Sequence, residues 1–261
     1  VARISLLGAV VQHDRIVVIG GLLLVVGLSW AYLLSGAGTM QEMGGMLMPM
    51  SPEVWTPGYA LLMLVMWSVM MAAMMLPSAA PMILFYAMAD RNRRTQSGQN
   101  SGTRAGIFVA AYLVCWTAFS SLAVVVQYCL EKAALLSRMM ETTSLILAAV
   151  IFIAVGIYQL SPLKQTCLKN CRSPLDFITS RWRDGKRGAF VMGLQHGMYC
   201  VGCCWMLMLL LFVGGVMNLA WITGLAFFAI VEKTIPLGHW IGKLAGLLLI
   251  VWGAGILFGI H

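Results

Sequence analysis

The sequence predicts an all-α fold: a polytopic transmembrane helix bundle of about seven spans, with the N-terminus inside and the C-terminus outside. Three observations predict it. Of 261 residues, 61% are hydrophobic and only 10% are charged, more apolar material than a soluble domain could cover with polar surface. Uncharged stretches of roughly 20 residues, enough to cross about 30 Å of hydrocarbon, recur along the whole length. Lysine and arginine gather in alternate loops, as the positive-inside rule requires.

The first stretch, 16–34, follows Arg3 and Arg15 and precedes Ser35-Gly36-Ala37. It is too long for a signal-peptide core and further spans follow, so it reads as a true first helix. A Met-rich outer loop, 35–53, comes next. Between Glu53 and Asp90 no residue is charged, and Pro57, Pro77 and Pro81 limit regular helix there to 58–76, with a kinked continuation to Met88 as the alternative. Spans three and four fall at 106–128 and 142–160 and lead into a basic cytoplasmic segment, 161–187. From Gly188 to Val231 there is no Asp, Glu, Lys or Arg, and Gly214-Gly215 with Asn218 divides this interval into spans at 190–213 and 217–231. The last span, 240–260, carries Trp240 and Trp252 as interface anchors. The whole chain, 1–261, is then one integral membrane domain.

With the N-terminus inside, the inner segments hold fifteen Lys and Arg and the outer segments only Lys132 and Arg138. The net charge of +8 is placed to meet anionic lipid headgroups, so nucleic acid is not expected as a partner.

Five of the seven cysteines (Cys115, Cys129, Cys200, Cys203 and Cys204) sit in apolar stretches. An odd number cannot pair completely within the chain, which favours free thiols or metal thiolates over a disulfide framework. The densest cluster runs His196-Gly-Met-Tyr-Cys200-Val-Gly-Cys203-Cys204-Trp205, one to two turns into the fifth span from its cytoplasmic end. On a helix His196, Cys200 and either Cys203 or Cys204 share a face. Imidazole and thiolate suit copper(I), zinc or iron-sulfur centres, and thiolates favour copper(I) in particular. Hydrocarbon opposes ionised thiols unless a cation compensates, which favours a bound metal. The competing reading, cysteine as a small hydrophobe beside packing glycines, suits one cysteine better than three with a histidine.

Cys167 and Cys171 lie four residues apart in the basic segment. If helical they share a face, and nearby Lys164, Lys169 and Arg172 favour their thiolates. Two cysteines are too few for structural zinc, and whether they join the first cluster is left open. The outer loop offers Met40, Met43, Met46, Met48 and Met50, neutral soft donors suited to weak capture of copper(I), although methionine also fills irregular apolar contacts. Met63, Met66, Met70 and Met74 form a stripe along the second span with Met71 and Met75 beside it. Such a stripe is more often packing than a ligand ladder, yet Met70 and Met74 would link the outer loop to the inner thiols. Glu232-Lys233 closes the sixth span. A helix running through them buries Glu232 as a proton or metal group paired with Lys233; one stopping short leaves the expected interfacial pair.

No phosphate-binding glycine loop, nucleophile elbow or zinc-enzyme histidine pair is present, and an enzyme is not expected. The combination of Trp67...Met71-Ala-Ala-Met74-Met75-Leu-Pro77-Ser78, Tyr158...Lys164...Cys167...Cys171-Arg-Ser-Pro174, His196-Gly...Cys200-Val-Gly-Cys203-Cys204-Trp205 and Gly214...Glu232-Lys233 resembles a bacterial family of predicted metal-binding integral membrane proteins. The resemblance implies metal binding for Cys167, Cys171, Cys200, Cys203 and Cys204, and a multi-pass protein of the bacterial inner membrane.

The leading expectation is copper(I) handling: capture by outer methionines, passage along the second span and delivery to inner thiolates, as transport or as transfer to a metal-chaperone partner. Zinc and mercury are the other metals considered. A thiol oxidoreductase is disfavoured because Cys203-Cys204 is vicinal. A structural or assembly subunit of a larger membrane complex is the remaining class, since glycine-rich helices serve partner contacts and self-association as well as internal ones.

Overall fold

The computed structural model describes residues 2–36, 40–43, 46–49, 55–94, 102–137 and 140–259, with side chains described for 16–36, 55–91, 93, 103–137 and 140–259. Ten helices and one short hairpin make up these residues: α1 (Ala2–Leu34), β1 (Met40–Met43), β2 (Met46–Pro49), α2 (Pro57–Arg94), α3 (Gly102–Lys132), α4 (Leu145–Leu160), α5 (Pro162–Arg172), α6 (Pro174–Arg181), α7 (Gly185–Leu209), α8 (Leu211–Gly214), α9 (Leu219–Thr234) and α10 (Gly238–Leu257). Five of the described helices are long and apolar enough to cross a membrane, or six if the bent pair α4–α5 counts as one span. The sixth expected crossing, 217–231, corresponds to α9, which has only 16 residues and spans about 24 Å at 1.5 Å per residue. The Met-rich stretch expected as a loop contains an antiparallel hairpin with Met43 opposite Met46.

α2 runs unbroken through Pro77 and Pro81, past the limit at residue 76 set by the sequence reading. Pro77 and Pro81 each remove one intrahelical donor, that of the Ala73 and Pro77 carbonyls respectively, yet the helix continues; beside them Ser78 Oγ and Tyr112 Oη both donate to the Met75 carbonyl, at 2.8 and 3.1 Å. Interior prolines are tolerated in membrane helices packed against neighbours. α4 stops at Ser161, whose hydroxyl caps the following helix by accepting from the Lys164 amide, with Pro162 in the first turn. The axis bends by 62° there.

α2 and α7 are the inner helices and α1 and α10 the most exposed. Between apolar helices in lipid, close packing rather than water exclusion holds the bundle together, and small residues set the distances. A Cβ on Gly193 of α7 would stand 2.3 Å from the Phe108 carbonyl of α3, and one on Gly156 of α4 2.5 Å from the Gly246 carbonyl of α10. These two close pairs bring Tyr112 of α3 against α7 and clamp α4 to α10.

Candidate metal centre

α5 buries one face, with Lys164, Leu168 and Cys171, and leaves Leu163, Thr166 and Lys169 exposed. Cys167 packs against α7, its sulfur 2.8 Å from where a Cβ on Gly202 would be, and Tyr158 Oη donates to the Gly202 carbonyl. Gly202 is well inside α7, which begins at Gly185, so the α4–α5 break sits roughly 25 Å along that helix at 1.5 Å per residue. Cys200 is correspondingly deeper than one to two turns from the helix end.

This placement brings four thiols together. Cys171 of α5 comes close to Cys200 and Cys203 of α7, and Cys204 to the same two. Cys203 Sγ lies 3.4 Å from Cys204 Sγ and 3.2 Å from the Cys200 carbonyl. All four are buried and all seven cysteines are free thiols. The i, i+4 spacing of Cys167 and Cys171 turns both toward α7, but only Cys171 joins the other three thiols. His196 is fully buried in an aromatic box, stacked at 6.0 Å on Phe108 and 5.7 Å on Tyr112 with Phe177 edge-on at 5.9 Å. Neither ring nitrogen has a hydrogen-bond partner.

The charged pair at the end of α9 corrects the sequence reading twice. Glu232 and Lys233 are both buried, and they do not pair with each other. Glu232 Oε1 binds Lys164 Nζ at 2.5 Å, with both side chains fully enclosed. Adjacent helical residues point about 100° apart, so Lys233 faces another way. Its ammonium lies 3.0 Å from Cys200 Sγ, 3.1 Å from Ser78 Oγ and 4.0 Å from Met75 Sδ. Tyr112 Oη completes the surroundings of Cys200 at 3.0 Å.

Met70 and Met74 are fully buried in α2, but Met75 is the thioether that reaches the ammonium. The side chains of Met40, Met43 and Met46 lie outside the described residues. Sequence reasoning gave no site role to Tyr112, which carries no signal of its own, or to Ser78, which appeared only as the end of the Met71–Ser78 motif. It paired Lys233 with the wrong partner, although a lysine closing an apolar helix was visible.

Among the described residues, no three His, Cys, Asp or Glu side chains are placed to hold a metal ion as they stand. Cys203 turns back on a carbonyl and Cys200 faces the ammonium. The donor chemistry is nevertheless that of a soft cation, because thiol and thioether sulfur meet with an unpartnered imidazole nearby. Residues 64–256 match the family model of PpoB2, described as a copper chaperone. The chain belongs to this copper chaperone family. The matched stretch contains Cys167, Cys171, His196, Cys200, Cys203, Cys204 and Lys233, and begins after Met40, Met43 and Met46. No curated protein and no solved structure matches the chain.

Proposed function

We propose that this chaperone handles copper(I) within the bilayer, holding it as cargo on Cys200 and one or more of Cys171, Cys203 and Cys204 before passing it to a partner protein. The observation that carries the reading is the Lys233 ammonium, a buried cation 3.0 Å from a cysteine sulfur in a group of four thiols. A copper(I) ion on two thiolates carries one net negative charge, which is costly in a low-dielectric interior. Lys233 supplies the compensating positive charge. Copper(I) is satisfied by two or three soft donors, so the site needs only a turn of the thiols rather than four ligands fixed in advance; Met75, 4.0 Å from the same ammonium, and His196, one turn before Cys200 on α7, are the further soft donors beside it. Small local motion suits a chaperone, whose cargo must leave.

The five or six helices able to cross a membrane and the concentration of basic residues in alternate loops support a multi-pass protein of the bacterial inner membrane with the N-terminus inside. Copper(I) competition against a chromophoric chelator tests the reading. Protein with Cys171, Cys200, Cys203 and Cys204 all changed to Ser should lose its tightly held copper, and retention equal to wild type would refute the assignment. Zinc(II) in the same assay should not displace copper(I) at equal concentration.

A further inference from the structure

A second group of soft donors lies at the other end of α2 and takes no part in the thiol centre. Gln127 of α3 is fully buried, and its Nε2 faces three acceptors: Met63 Sδ at 3.5 Å, Met140 Sδ at 3.5 Å and Glu131 Oε1 at 2.8 Å. An amide nitrogen has two hydrogens, so one acceptor is always in excess. Gln127 Oε1 is already engaged by Trp67 Nε1 at 2.9 Å, and the second Glu131 oxygen by Trp55 Nε1 at 2.7 Å. Every one of these donors is neutral. Two thioethers and a carboxylate therefore converge on a single partial positive charge.

The chain goes to some length to place Met140 there. The residue has φ +56, a left-handed conformation uncommon outside glycine and costing of order 1 kcal/mol or more. Its side chain is only 3% exposed. The loop closes on itself to hold the position: the Met140 amide donates to the Ser137 carbonyl at 3.0 Å, the Ser137 amide to the Glu141 carbonyl at 2.8 Å, and the Thr142 amide anchors the loop to the Phe212 carbonyl at 2.7 Å.

We propose that Met63, Met140 and Glu131 form a receiving site for copper(I), with the Gln127 amide standing where the cation would sit. The proposal rests on the copper reading of the thiol centre for the identity of the cargo. A singly charged cation on one carboxylate and two neutral sulfurs leaves no net charge, and thioethers bind copper(I) without giving up a proton. Such a site holds copper less firmly than thiolates do, and transfer runs from it toward Cys200. Met63 and Met75 are twelve residues apart in α2, about 18 Å at the helical rise, and the fully buried Met66, Met70, Met71 and Met74 lie between them.

The test is copper(I) and silver(I) titration of the full chain in lipid nanodiscs. Wild type should bind a tight and a weaker equivalent. Met63→Leu/Met140→Leu, close in volume to the wild type, should lose the weaker equivalent, keep the tight one and load it at least tenfold more slowly. A variant that keeps the weaker equivalent and loads at the wild-type rate would overturn the proposal. The four-serine variant separates the two sites: it should keep only the weaker equivalent. If it keeps the tight one instead, the thiol assignment fails whatever the methionine variant does.

Discussion

The ammonium of Lys233 lies 3.0 Å from the sulfur of Cys200, both side chains being enclosed by the bundle. The two residues come from different helices, and the contact forms because α9 ends where α7 presents its cysteines. Replacing Lys233 by Met keeps the length and apolar stem of the side chain and removes the charge. The expected result is at least about a tenfold loss of copper(I) affinity, equivalent to about 1.4 kcal/mol, with folding retained. Chelator competition measures it, and an unchanged affinity would remove Lys233 from the centre.

The Lys164–Glu232 pair sits beside this contact but has another consequence. It ties α5, which carries Cys171, to the end of α9, which carries Lys233. Breaking a fully buried pair from one side leaves an uncompensated charge and typically costs about 3–5 kcal/mol. Lys164→Met and Glu232→Gln should each lower the thermal unfolding midpoint markedly. The double variant Lys164→Met/Glu232→Leu should recover much of the loss, because apolar replacement of both partners is often neutral. Thermal unfolding in detergent with wild type alongside gives the comparison.

The thiol cluster was legible because His196, Cys200, Cys203 and Cys204 keep helical spacing, and all four are buried whereas Met198 on the opposite face is 68% exposed. Its depth was not legible. The apolar boundary at residue 190 lies inside α7, which begins at Gly185, and no local pattern shows that Cys167 of α5 packs against Gly202. No single-sequence pattern distinguishes a basic surface helix from one whose lysine is neutralised by a distant glutamate. The proline limit on α2 failed because the helix runs unbroken through Pro77 and Pro81, and interior prolines are tolerated in helices packed within a membrane bundle.

Gly193 offers a test of how closely the centre depends on helix spacing. An alanine there would place its Cβ 2.3 Å from the Phe108 carbonyl, a backbone atom that yields only if α3 moves away from α7. Tyr112 would then leave Cys200. Gly193→Ala should lower both thermal stability and copper(I) retention. Gly224→Ala in α9 meets nothing within 4 Å and should be neutral or more stable by about 0.5–1 kcal/mol, through the higher helix propensity of alanine. Equal behaviour of the two variants would contradict the packing argument.

His196 separates packing from ligation. Its ring fills a box of Phe108, Tyr112 and Phe177, yet both nitrogens lack partners, and each such buried polar atom costs about 1–3 kcal/mol. A histidine kept only for shape would be better replaced by an aromatic hydrocarbon. His196→Phe should therefore hold or raise the unfolding midpoint of the metal-free protein while weakening copper(I) binding. The decisive measurement is the copper-induced rise in that midpoint, which reports how much more tightly copper binds the folded chain than the unfolded one. It should shrink in His196→Phe relative to wild type, and a rise of full size would assign the imidazole to packing.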